Sequence, residues 1–419
     1  MRNRFAHLRE AFSSPDKGLW PMTGGDIVQQ VGMHFLIVTT STFTYDMTGS
    51  AWAYALQQLL IFLPWMLLSG VAGPIVDRLD RRRVMIASSL LRSLVILGYP
   101  LCRNLEGILA LSFLSSACAV FLVTARTALI PHLCDENRLL QVNGVRTAVF
   151  GCVDMSAPAV AGALMRTIGT TTAFRLASMA ILAGGLWFVA IPAARGRPEK
   201  QEAAPGKARP ERRGFRRDLG EAMAFLRGDR VLLGTILLYA VYSAGQTGVN
   251  AAFYPFVQSV LHAGPAVFGL SVSFYYGANF LAGILLAKFG RAVRRLPMTT
   301  MIVPATLVWL TYCTVRSVPV IVALGFVEGT IMSVLSTLLM TDVQTRTPSA
   351  MTGRVWGVTM SASGGAEVAG ILLAGAVAER CGPPVAYGVM GVLVLSSALA
   401  TEICRRRAAW RRTSLVDQR

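Results

Sequence analysis

Four carboxylates stand inside long apolar stretches of this 419-residue chain: Asp26, Asp154, Glu328 and Glu367. A charge within hydrocarbon costs at least about 2.5–3.5 kcal/mol, so an acid kept there is a functional suspect by default. Such a group can carry a proton, or hold a cation, away from bulk water. Asp154 and Glu367 fall near the middle of their stretches; the competing reading is that each neutralises a nearby Arg or makes a polar contact between helices. Glu328 is open to both readings equally. Asp26 lies only two turns into its helix, where an acid merely complements the dipole. Among the bases, Arg146 precedes Asp154 by eight residues. That spacing is two turns along one helix but about 80° around it, near enough for a shared polar cavity and too far for a direct pair. Arg146 could bind an anionic substrate group or hold Asp154 ionised. Gln29, Gln30 and His34 recur at helical spacing in one stretch, and Tyr239, Tyr242, Gln246 and Asn250 do so in another. Polar stripes in membrane helices normally face protein or water. Amides, phenols and a few charges suit an amphipathic organic molecule better than a bare ion. Phe274, Tyr275, Tyr276 and Phe280 could add apolar contact, with lipid as the alternative neighbour.

The elements that must position these residues are membrane helices. The chain is 53% hydrophobic and 15% charged, against about 45–50% apolar and about 25% charged in ordinary soluble domains. With a mean hydropathy of +0.52, no polar shell is left to cover a soluble core. Charges, prolines and glycines delimit twelve spans: 20–45, 52–76, 84–103, 107–130, 140–165, 171–193, 230–257, 266–289, 296–316, 318–341, 354–377 and 383–404. Each approximates the 20 or so residues that cross about 30 Å of hydrocarbon. The expected architecture is all-α integral membrane: a six-helix bundle over 1–193, a basic cytoplasmic linker over 194–229, a second bundle over 230–404 and a basic tail over 405–419. The linker holds Pro198, Pro205 and Pro210 among dense mixed charge, a composition that cannot bury a core.

The net charge of +18 is a matter of topology. With both termini and alternate loops inside, thirty-two of the forty Lys and Arg fall on inner segments and five on outer loops. Arg92, Arg126 and Arg146 lie within or at the edge of helices. The positive-inside rule accounts for this distribution, which argues against nucleic acid as partner. The linker and tail are better suited to anionic lipid headgroups, at about 1 kcal/mol per residue. The seven cysteines include no CxxC pair, His7, His34, His132 and His262 form no metal set, and no nucleophile–base motif stands out. No phosphate-binding loop of the Gly-x-x-x-x-Gly-Lys-Ser/Thr type occurs, so energy must come from an ion gradient or substrate flow. No cofactor, enzymatic activity or cleaved leader is expected.

The chain also repeats itself. After the second span stand Gly73, Asp77, Arg78 and Arg81; after the eighth stand Gly283, Ala287, Lys288 and Arg291, a shift of 210. In the fifth span Asp154 precedes Ala161-Gly162 as Glu367 precedes Ala374-Gly375 in the eleventh, a shift of 213. Two shifts near half the length mark two six-helix halves related by duplication, as in many transporters.

Over nearly its whole length the chain resembles the major facilitator superfamily (MFS) of secondary transporters. The segment GPIVDRLDRRRVM, residues 73–85, resembles that family's loop 2-3 signature, with Asp80 where a second Gly is usual. Asp at that place, Thr48-Gly49-Ser50 after the first span, and Ala157-Pro158 with Gly162 in the fifth resemble the branch of macrolide-efflux and enterobactin-exporter-like carriers. Two departures are the alanines at 157 and 161 in a Gly-Pro antiporter signature, and Met33 where that branch carries an acid after Gly32. The resemblance implies that the spans bearing Asp26, Asp154, Glu328 and Glu367 line a central cavity, joined there by Arg146, Gln30, His34, Gln246 and Asn250. It places Arg92 on a peripheral helix, paired internally. It also implies a conformational latch of Gly73, Asp77, Arg78, Arg81 and Arg126. The implied protein is a monomeric exporter of the bacterial inner membrane, both termini cytoplasmic, driven by proton antiport through alternating access. The substrate is a drug or a siderophore, and an importer or uncoupled facilitator is the alternative.

Overall fold

The computed structural model describes residues 18–134, 136–192, 215–294, 297–349 and 351–416, and among them every long element is helical. Residues 1–17, residues 194–214 of the expected linker and residues 417–419 of the expected tail lie outside the described residues. The helices are α1 (Leu19–Thr48), α2 (Ala51–Val76), α3 (Arg81–Gly98) and α4 (Leu105–Leu129). Glu136–Trp187 follows as one run broken at Gly169, giving α5 (136–168) and α6 (170–187). Then come α7 (Phe215–Gly228), α8 (Arg230–Ser259), α9 (Pro265–Val293), α10 (Met298–Thr314), α11 (Val318–Arg346), α12 (Thr352–Cys381) and α13 (Pro383–Val416).

All but α7 occupy the twelve expected spans. Nine runs are long and apolar enough to cross a membrane, among the described residues, and one of them holds both α5 and α6. The polar α1 and the 17-residue α10 complete the set. Helix α7 lies within the expected linker, and its Ala222 and Leu226 are buried against the core of unit 2. Glu221 on α7 bonds Arg354 at the start of α12, and Arg346 lies 3.7 Å from Asp229. A short helix with one apolar stripe suffices for this, even in a basic stretch.

Two compact units result. Unit 1 comprises residues 1–48, 60–202 and 264–273; unit 2 comprises 49–59, 203–263 and 274–419. In unit 1, α1 packs on α5 and α6, and α3 on α4 and α6; in unit 2, α8 packs on α12 and α13, and α10 on α11 and α13. The pairings correspond, and the backbone carries the same imprint of duplication. Gly169 and Gly382 both have positive φ, at 73° and 88°, and lie 213 residues apart. Gly49 (φ 63°) and His262 (φ 49°) are separated by the same interval. His262 is the one non-glycine among the described residues to adopt this left-handed geometry, which costs L-residues about 1–2 kcal/mol. Equivalent turns are therefore built at equivalent places in both halves.

Close helix approach depends on a few glycines. A Cβ on Gly370 of α12 would collide with the Ala244 carbonyl of α8, whereas one on Gly365 would meet open space. Gly370→Ala should thus lower the melting temperature of the purified protein by the equivalent of about 1–3 kcal/mol of overpacking. Gly365→Ala, which gains helix propensity without a clash, should leave it unchanged or raise it; equal losses at both sites would contradict the packing described.

Candidate functional site

Unit 1 holds a polar ladder between two parallel helices. On the lower rung, Arg146 of α5 donates from Nη2 to Asp26 Oδ2 of α1 at 2.7 Å. On the upper rung, eight residues further along both helices, His34 Nε2 of α1 lies 2.7 Å from Asp154 Oδ1 of α5. Both helices turn about 80° over eight residues, so the two rungs stay in register as the pair twists together. Gln30, one turn below His34, donates to Asp154 Oδ1 at 2.6 Å. Arg126 of α4 adds a second cation to Asp26, donating from Nη1 to Oδ1 at 3.3 Å. The Asp26 side chain has no exposed surface, and Arg146 also lies over the Phe150 ring, 5.1 Å from its centroid. Beside the ladder, Gln29 donates to Ser89 Oγ at 2.7 Å.

This arrangement corrects two sequence expectations. Asp26 is no simple dipole complement; it is a buried carboxylate clasped by two guanidinium groups. Arg126 joins Asp26 rather than the loop acid, because a fully buried carboxylate attracts a neighbouring cation far more strongly than a hydrated one. Asp77, 66% exposed, meets Arg81 at 3.7 Å, and Arg78 is exposed with no ion-pair partner among the described residues. Gly73 lies in the last turn of α2, its carbonyl accepting from the Asp77 amide. Asp80, the departure from the family pattern, caps α3 by accepting from the Arg83 amide. Among the described residues Arg146 pairs with Asp26 and not with Asp154. Among the described residues Arg92 finds only a hydroxyl, Ser115, at 3.3 Å.

Unit 2 holds acids of a different kind. Glu328 of α11 is buried, and neutral donors surround it. Trp309 Nε1 donates to Oε1 at 2.8 Å, and Gln246 Nε2 donates to the same oxygen at 2.9 Å. Tyr312 Oη lies 3.4 Å from Oε2. Tyr242 donates to Gln246 Oε1 at 3.2 Å and stacks on Trp309, which fixes both donors in place. Asn250, one turn beyond Gln246 on α8, is exposed. Glu367 is partly buried on α12, with the Ser243 hydroxyl in reach of its carboxyl and Thr247 donating to its backbone carbonyl at 3.3 Å. Ser243 and Thr247 lie 213 residues after Gln30 and His34, as Glu367 lies 213 after Asp154. The repeat thus preserves the position of an acid and its two α1 or α8 neighbours.

The roles of Trp309 and Tyr312 were not read from the sequence. Both sit on α10, within three turns of the short connection to α11, and that proximity to Glu328 was the available signal.

The matching helix pairs, glycine turns and paired acids define a duplicated helical carrier. The sequence matches the Major Facilitator Superfamily over residues 28–366, and the chain belongs to that family of multi-pass membrane transporters. It is similar to the multidrug efflux pump Tap of Mycobacterium tuberculosis, at 26% identity over 88% of each chain. It also resembles macrolide efflux protein A of Streptococcus pyogenes, at 23% identity over 66% of this chain and 67% of that one. Among solved structures, a mutant form of the nucleoside transporter NupG shares the fold with a TM-score of 0.71 at 12% identity, covering 92% of this chain and 99% of that chain. A mutant form of the peptide transporter POT in complex with sulfate gives 0.71 at 15% identity, over 95% and 97%.

Asp26→Asn would leave two interior guanidinium groups without a carboxylate, a loss of about 3–5 kcal/mol. The purified variant should melt well below wild type, and Asp26→Asn with Arg146→Met should recover part of the loss. Glu328→Gln retains an oxygen for Trp309 and should cost no more than about 1 kcal/mol. A double variant no better than Asp26→Asn alone would contradict the pairing.

Proposed function

We propose that this transporter exports amphipathic, cationic small molecules of the drug class by proton antiport with alternating access. The observation that carries this reading is the asymmetry of charge partners. The two arginines that could have received an anionic siderophore, Arg126 and Arg146, are both engaged by Asp26. Glu328 and Glu367 have no basic partner among the described residues, and Asp154 has only an imidazole. Uncompensated carboxylates favour a cation, and protons compete for the same oxygens. The aromatic surround of Glu328 suits a cation with an apolar body. Similarity to carriers named as multidrug and macrolide efflux proteins supports export over import.

In this reading Asp154 and Glu367 are the coupling pair, one in each half, with Glu328 the buried reserve and Gln30, His34 and Gln246 the groups that orient them. Asp26 keeps Arg126 and Arg146 engaged within unit 1. Asp77, Arg78 and Arg81 form the remaining loop latch. The protein works as a monomer in the bacterial inner membrane with both termini cytoplasmic, a placement supported by the basic inner segments.

In inside-out vesicles, adding a lipophilic cation such as tetraphenylphosphonium should dissipate an imposed proton gradient, whereas catecholate and carboxylate siderophores should not. Asp154→Asn with Glu367→Gln should abolish the response at normal membrane abundance. A response to siderophores alone would reverse the charge assignment. Cation transport that leaves the gradient intact would remove the antiport.

A further inference from the structure

Arg92 is an interior cation that the proposed transport chemistry does not use. It lies eleven residues beyond Arg81, where α3 begins; at 1.5 Å per residue that is about 16 Å along the helix, near the middle of a bilayer. Its exposure is 8%. Of its five N–H donors, one is used among the described residues, from Nε to Ser115 Oγ at 3.3 Å. The titratable groups close enough to act on it are the Cys118 thiol and the Tyr99 phenol, and neither is a carboxylate. The Tyr99 hydroxyl is already engaged with Ser112 Oγ at 3.0 Å.

The contrast with the other interior arginines is sharp, since Arg126 and Arg146 share Asp26. Even with Asp154 counted, the interior of unit 1 holds three arginines against two carboxylates among the described residues, and Arg92 is the arginine that no carboxylate touches. A guanidinium at that depth is strongly disfavoured unless something negative or hydrogen-bonding satisfies it. The groups nearby are arranged to help an anion. The Ser115 hydroxyl accepts from Arg92 and retains its own proton to donate. Buried Ser88 lies one turn before Arg92 on the same face of α3. Residue 305, which occupies the equivalent place 213 residues on, is Ala, so the feature belongs to unit 1 alone and is not a legacy of the duplication.

We propose that Arg92, with Ser115 and Ser88, forms a membrane-embedded site for a small monovalent anion of the halide class, chloride in the cell. The depth places lipid phosphates out of reach, and the slight exposure of Arg92 favours an atom-sized ion over an organic one. Bound halide supplies the missing counter-charge and stabilises unit 1 through linkage. The proposal is independent of what the carrier exports.

The test is thermal melting of the purified full-length protein in chloride against gluconate at constant ionic strength. Wild type should show a saturable rise of a few degrees with chloride, matched by bromide. Arg92→Gln should abolish that rise, and Ser115→Ala, which keeps the charge, should shift its midpoint to several-fold higher chloride. A bromide-derivatised crystal should show anomalous density beside the guanidinium. Melting of wild type that is indifferent to chloride would overturn the site, as would an unaltered chloride response in both variants or stabilisation by anionic lipid in place of halide.

Discussion

The buried carboxylate of Asp26 is the constraint from which much of the structure follows. A single acid in the apolar interior of unit 1 must be matched, and it is matched twice, by Arg146 along the α1–α5 pair and by Arg126 from α4. That clasp fixes the register of α1 against α5, and the register in turn delivers His34 and Gln30 to Asp154 two turns further along. Removing the carboxylate from this cluster leaves uncompensated charge in a low-dielectric setting, a far larger penalty than the loss of one hydrogen bond. The cluster also has a chemical consequence. Two cations that might have faced a substrate are held by one carboxylate, while the other interior acids have no arginine or lysine partner among the described residues.

Unit 2 inherits the same helix arrangement but resolves its interior acids without cations. Glu328 is accommodated by an indole, an amide and a phenol, the first stacked on Tyr242 and the second hydrogen-bonded by it. Glu367 retains the geometric place of Asp154, with hydroxyls where unit 1 has an amide and an imidazole. Duplication thus supplied one scaffold, and divergence of a few side chains gave one half a carboxylate paired with arginines and the other carboxylates held by neutral donors. This division suits a carrier in which protons and a cationic cargo compete for carboxylates.

Most of the fold was legible in the sequence because apolar runs bounded by charge, proline and glycine fix where membrane helices must lie. Helix ends extend past the apolar windows, as in α5 back to Glu136 and α13 on to Val416, since helical hydrogen bonding continues where hydropathy stops. Helix α7 escaped notice because a single apolar stripe is invisible in average composition. The candidate acids were found from the cost of burying charge, and that argument needs no structure. Their partners were not found, because Asp26 meets Arg126 and Arg146 across 100 and 120 residues of chain, and only packing reveals which helices adjoin. The interval of 213 proved more informative than any single motif, since it also predicts the paired positive-φ turns.

The central claim is that protons and an organic cation compete for the same interior carboxylates. It is tested most directly by adding tetraphenylphosphonium to the purified protein in lightly buffered detergent solution and measuring the protons released. The account predicts saturable release with binding, diminished in Asp154→Asn with Glu367→Gln. Binding of the cation with no proton release at any pH from mildly acidic to mildly alkaline would contradict it.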